Sequence, residues 1–208
     1  MKRTTKRILL VLGAALLSAA LPAGVASAAT STSFKMVRSG GAVTAGCLEG
    51  ANANVTINSL GSVEVMSVEL NNMPPNREFD LFVIQVPDAP FGVSWYQGDL
   101  KTDANGHAKH RFVGRFSIET FAVAPGSAPA PRPHQSGLFP DASTNPAFAP
   151  VHTYHLGLWF NSAKAAQAAG CTGNELVHTP FNGVHNAGVQ ALSTRQFGDR
   201  NGPLRQIQ

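Results

Sequence analysis

The chain has 208 residues and a formal charge of +4, yet four of its sixteen cations, Lys2, Arg3, Lys6 and Arg7, lie at the very start. Setting those four aside leaves twelve Lys plus Arg against twelve Asp plus Glu, and the densest later basic group is only Lys109, Arg111 and Arg115. Such a balance excludes the clustered cations by which proteins displace counterions from phosphates, so no nucleic-acid partner is expected.

The basic start runs into a charge-free, mainly apolar stretch from Ile8 to Ala20, then Pro22 and Gly24, then the small residues Ala26-Ser27-Ala28. That order is a secretory signal peptide (1–28) cleaved near Ala28, which makes the protein a secreted one. The apolar stretch falls short of the roughly 20 residues a membrane span requires, and no later segment reaches that length, so no membrane association is expected after cleavage. What remains suits one domain of about 180 residues.

Residues 29–51 read as a polar lead-in with a first edge strand. The lead-in contains Cys47, and in an oxidising compartment Cys47 and Cys171, the two cysteines of the chain, read as one disulfide. Thr44-Ala45-Gly46-Cys47 resembles a lipobox but sits too far beyond the apolar core of the signal to serve as one.

From residue 52 to 193 the pattern is β. Asn54 to Ile57 alternates, and Ser62 to Leu70 carries a change of phase that fits a bulge or a strand covered on both sides. Asn71 to Asn76, with two prolines and three asparagines, is a turn. Phe79 to Val86 (FDLFVIQV) is apolar on both faces, which argues for a central strand. Val93 to Leu100 follows, then a hairpin turn at Asp103-Ala104-Asn105-Gly106, a return strand from Ala108 to Phe116, and Ile118 to Val123. Residues 124–150 hold seven prolines and read as a long loop. Val151 to Phe160 is a strand, 162–169 (SAKAAQAA) a short helix ended by Gly170, and His185 to Ser193 a last strand. Residues 194–208 read as a polar C-terminal tail. Short alternating strands with regular turns predict an all-β fold, a single antiparallel Ig-like β-sandwich carrying one short helix.

Chemistry is harder to place. His152 and His155, like His107 and His110, are three apart, and on a strand such pairs point to opposite faces. A metal site would have to be assembled from distant residues among His134, His152, His155, His178 and His185, and none has close ligand spacing, so no metal is assigned. Nucleophile-elbow, zinc-protease and glycine-rich phosphate-loop motifs are absent, so neither catalytic residues nor a cofactor are assigned. Trp95, Tyr96 and Trp159 are the candidate ligand-binding residues: flat aromatic rings match the C–H face of a sugar, while Gln97, Asp99 and Asn161 nearby offer hydrogen bonds. The competing reading for each ring is ordinary core packing, and alternation sends Trp95 and Tyr96 to opposite faces.

The segment from Val68 to Val86 (VELNNMPPNREFDLFVIQV), with GDLKTDANG at 98–106 and PFNGVHNAGVQ at 180–190, resembles exported actinobacterial proteins with Ig-like or fibronectin-like sandwiches. The resemblance implies the fold only, because its motifs are turns and strands and no catalytic residue transfers with them. The expectation is therefore a non-enzymatic extracellular or cell-envelope protein whose partner is a cell-wall polysaccharide or another protein. The alternative is a secreted hydrolase or metal-dependent enzyme with its site drawn from distant loops.

Overall fold

The computed structural model describes residues 30–122, 151–172 and 189–208. The expected signal peptide (1–28), the proline-rich segment 124–150, and His134, His178 and His185 lie outside the described residues.

In chain order the elements are β1 (Ser31–Arg38), α1 (Gly40–Thr44), β2 (Asn52–Ser59), β3 (Glu64–Asn71), β4 (Glu78–Ile84), β5 (Ser94–Lys101), β6 (Ala108–Gly114), β7 (Phe121–Ala122), β8 (Val151–His152), β9 (His155–Phe160), α2 (Ala163–Ala168) and β10 (Gln190–Ser193), followed by a 3-10 turn, Pro203–Gln206. The all-β class expected from the sequence is what the structure shows. Eight strands form one antiparallel sheet in the order β5-β4-β9-β10-β1-β2-β3-β6, nearly closed into a barrel, and β7 pairs with β8.

β1 joins the two halves of this sheet. Its first part, Ser31 to Met36, pairs with β2, and its last two residues, Val37 and Arg38, pair with Ser193 and Leu192 of β10. One strand thus serves both four-stranded sections and turns the corner between them, as strands do where a sheet folds over on itself. The expected edge strand is therefore an interior one. Its polar residues report an open outer face, with Ser31, Ser33 and Lys35 exposed while Thr32 and Met36 are buried inside.

The interior is filled by alternate residues from every section: Met36, Val55, Ile57, Met66, Val68, Leu70, Phe79, Leu81, Val83, Leu156, Leu158 and Phe160. Phe79 and Phe160 meet with ring centroids 4.9 Å apart. Ser162 caps α2 by accepting from the Ala165 amide at 3.1 Å, so the short helix falls where alanine content and a serine start place it. The short α1 was not anticipated. Ser39 caps it, accepting from the Ala42 amide at 3.0 Å, but Gly40 and Gly41 mask the helical signal. Cys47, just beyond α1, is bonded to Cys171, just beyond α2, with Cα atoms 5.2 Å apart and a sequence separation of 124.

The expected polar tail is docked rather than free. Leu204 and Ile207 are both buried in the main core, the Leu204 amide donates to the Tyr154 carbonyl at 3.2 Å, and the Ile118 amide donates to the Ile207 carbonyl at 2.9 Å. Two apolar residues three apart are too few to suggest an α-helix, but one 3-10 turn brings both to the same side.

Candidate functional site

The two turns that carry the resemblance pack against each other, and this contact shapes the surface between β5 and β6. The Met73 amide donates to the Gly106 carbonyl at 3.1 Å, and the Asn76 amide donates to the Asp103 carbonyl at 3.0 Å. Thr102 Oγ1 donates to the Pro74 carbonyl at 2.7 Å and accepts from the Arg77 amide at 2.9 Å. Past the turn the arms of the expected hairpin splay apart, with β5 pairing to β4 and β6 to β3. They are the two terminal strands of the sheet, so the turn is shared without a ladder between its arms.

Side chains bridge this seam instead. Register shifts between Leu81 and Phe82 make Gln97 an extra residue on β5, a bulge that re-aims the strand. Beside it Gly98 has φ +146, and a Cβ there would come within 2.7 Å of the Phe112 ring, so only glycine lets Phe112 lie across the gap. Further along, the seam opens into a groove of about 430 Å³ lined by Trp95, Gln97, Val113, Arg115, Thr120 and Phe121, among others. Phe121 is 54% exposed and Val113 63%, while Trp95 is half-buried against the core. Arg115 is a fixed wall: its guanidinium lies 3.3 Å from buried Glu64 and 3.8 Å from Glu119, and it donates to the Gly61 carbonyl at 3.1 Å.

The three aromatic residues singled out in the sequence do not form one platform. Trp95 and Tyr96 face opposite ways, as alternation requires. Tyr96 lies on the outer surface of β5, 54% exposed, with its ring 5.6 Å from Phe82. Partial burial, then hydrogen bonding to Asp99 and the charges of Asp99, Asp80 and Glu78, push its phenol up to about 12. Trp159 is fully buried and is therefore removed from any solvent-facing surface. It sits on the outer face of β9 beneath Phe82 and Phe91, at 5.6 and 5.0 Å, because the loop between β4 and β5 folds back over it. Phe121, which sequence reading passed over, is an exposed ring that lines the groove together with Trp95. Its only signal was an aromatic residue beside a proline-rich stretch.

A second concavity of about 550 Å³ is lined by Gln85, Val86, Ile118, His152, Tyr154, Asp199, Arg200 and Arg205. His152 Nδ1 lies 3.1 Å from the Thr120 carbonyl, which can only accept, so Nδ1 carries the proton. The His152 ring stacks on Tyr154 at 5.2 Å with an interplanar angle of 15°. Burial raises the Tyr154 phenol, and the Arg205 charge opposes that rise. The β7–β8 ribbon separates the two concavities: Phe121 belongs to the groove and His152 to the cleft, their rings 6.2 Å apart.

His155, by contrast, is fully buried, its Nδ1 2.9 Å from Thr194 Oγ1 and its Nε2 3.2 Å from the Asp199 carbonyl. The structure therefore does not bring His152 and His155 together, in keeping with their spacing on extended chain. Among the described residues no three His, Cys, Asp or Glu side chains are grouped to hold a metal ion. No helix among them is long and apolar enough to cross a membrane. No protein-family model matches the chain, and no curated protein does.

Proposed function

We propose that the chain is an exported extracellular or cell-envelope protein that binds a surface polymer without processing it, and that the groove at the β5–β6 seam receives the polymer. The observation that carries this reading is the pairing of Trp95 with exposed Phe121 and Val113 in one open groove whose walls also offer Gln97 and Arg115. Sugar rings present apolar C–H faces and a rim of hydroxyls, and this combination of rings and polar groups matches both. Exposed apolar side chains gathered in one groove are a mark of an interaction surface. Export is supported by the signal-like first 28 residues and is compatible with the Cys47–Cys171 bond. An Ig-like origin of the barrel is supported by its turn motifs.

The test is co-sedimentation of the protein from Ala29 onward with isolated cell wall, chitin and cellulose, comparing the wild type with Trp95→Ala and Phe121→Ala. Phe121 is exposed, so its variant is expected to keep its melting temperature and to lose most of the saturable binding. Equal binding by wild type and Phe121→Ala would remove the groove from the function.

A further inference from the structure

We infer that the cleft beside the C-terminal turn is a second binding site, specific for an oxyanion on a hydroxyl-rich ligand, with Arg200 and Arg205 as the residues that read the anion. The inference deepens the polymer reading and rests on it: it narrows the ligand to an acidic glycan or polyol polymer, whose charged group enters this cleft while an uncharged part covers the groove across the β7–β8 ribbon.

Three observations carry it. Arg200 and Arg205 line the cleft, and among the described residues neither has a carboxylate within ion-pair distance, whereas Arg115 and Lys109 are both paired to glutamates. Arg205 Nη1 donates to Asn201 Oδ1 at 2.7 Å, which steadies the guanidinium and leaves the rest of its five-donor fork for a ligand. A planar fork of this kind recognises carboxylate and phosphate through paired, charge-assisted hydrogen bonds.

The arginines also stand on a rigid base. Gly202 lies so close to the Tyr154 carbonyl that a Cβ would collide with it, and Leu204 and Ile207 anchor the turn in the core. On the other side of Arg200, the Asp199 carbonyl is tied to buried His155. The backbone that carries both arginines is therefore held in place, which limits the ordering that binding requires to the side chains themselves.

The remaining lining residues describe the rest of the ligand. Asp199 accepts hydrogen bonds, so beside two arginines it suits a hydroxyl adjacent to the anion and leaves a net positive cleft. Tyr154 remains a neutral phenol able to donate, and His152, with its Nδ1 committed to Thr120, retains Nε2 as a second polar position. An anion flanked by hydroxyls is the chemistry of a uronic acid and equally of a polyol phosphate.

The experiment is a titration of the disulfide-bonded protein with three soluble probes: polygalacturonate, poly(glycerol phosphate) and neutral dextran. Wild type, Arg200→Gln/Arg205→Gln, Arg200→Lys/Arg205→Lys and Phe121→Ala are compared at low and high salt, each checked for an unchanged melting temperature. Expected is binding of at least one acidic probe over dextran, weakened roughly tenfold or more in the glutamine variant, partly restored by lysine and reduced by salt. Preference for polygalacturonate identifies a carboxylate ligand, and preference for poly(glycerol phosphate) identifies a phosphate. Acidic binding that the glutamine variant retains overturns the cleft. If that binding falls only in Phe121→Ala, the groove reading stands; if it falls only in the glutamine variant, the cleft stands and the groove reading fails. No preference for either acidic probe over dextran overturns the inference outright.

Discussion

β1 and β4 are both interior strands of the same sheet, yet their outer faces have opposite fates. On β1, Ser31, Ser33 and Lys35 remain in solvent, and Ser33 Oγ and Thr56 Oγ1 sit 2.9 Å apart across the strands. On β4 the outward residues Asp80, Phe82 and Ile84 are all buried, along with their neighbours His155 and Trp159 on β9. The sheet is a single layer in both places. What differs is the chain laid over it: the loop carrying Phe91 covers β4 and β9, and the segment from Thr194 to Asp199 covers His155. The barrel thus has a principal core inside and a smaller aromatic one outside, confined to one flank. The groove opens at the β5 margin of that flank and the cleft beside His155's covering segment. The cleft is thus built partly by a covering segment, whereas the groove is built at the seam between two strands.

The strongest way to break the comparison is Trp159→Ala. If the outer cluster is packed as a core, truncating its central ring costs about 3–5 kcal/mol, as for buried aromatic residues generally. Denaturant unfolding of the two proteins measures it. A loss under about 1 kcal/mol would show that the covered face behaves as surface.

A smaller effect tests the other end of the covered face. Burial holds the His155 imidazole below its ordinary 6.5, and its hydrogen bonds to the Asp199, Gly198 and Thr194 backbone, with the Asp199 charge, offset only part of that. The sign follows from proton binding. Above 6.5 both folded and unfolded states carry a neutral ring, so nothing is lost; as pH falls below 6.5 the unfolded chain takes up a proton that the folded state refuses. Stability therefore declines on acidification, from this group by at most about 1.4 kcal/mol per pH unit, until the folded-state value is reached. In His155→Asn the baseline stability is lower, but the part of the slope between neutral pH and mild acid that belongs to the ring should vanish. An unchanged slope would mean that His155 is not shielded.

Much of the covered face was legible in the sequence and much of the open site was not. FDLFVIQV announced a strand apolar on both sides, and the pairing of two lone cysteines followed from the expectation of export. Alternation correctly separated Trp95 from Tyr96. Trp159 looked like a ligand platform because sequence shows which face a residue takes but not what lies over that face. The Asn105-Gly106 turn was plain, whereas the splaying of its arms depends on the Met73–Asn76 turn docking onto it, a contact between segments about 30 residues apart. Arg200 and Arg205 were hidden in an apparently free tail, since the spacing of Leu204 and Ile207 has meaning only in a 3-10 turn.

The smallest effect belongs to the open face. Ser33→Ala removes one exposed hydroxyl pairing, between Ser33 Oγ and Thr56 Oγ1, and uncovers no buried group. Cross-strand pairs of this kind contribute a few tenths of a kcal/mol, and water replaces the lost hydrogen bond, so the expected change is within about 0.5 kcal/mol. For a domain of this size that moves the melting temperature by no more than about 2 °C. The substitution sharpens the comparison because β1 and β9, which carries Trp159, are both interior strands of the sheet, so strand position alone does not distinguish the two sites. Near-neutrality at Ser33 beside a large loss at Trp159 would assign the difference to the covering loop. A loss at Ser33 approaching that at Trp159 would show instead that the pairing of β1 with β2 depends on its outer side chains, and the distinction between covered and open faces would fail.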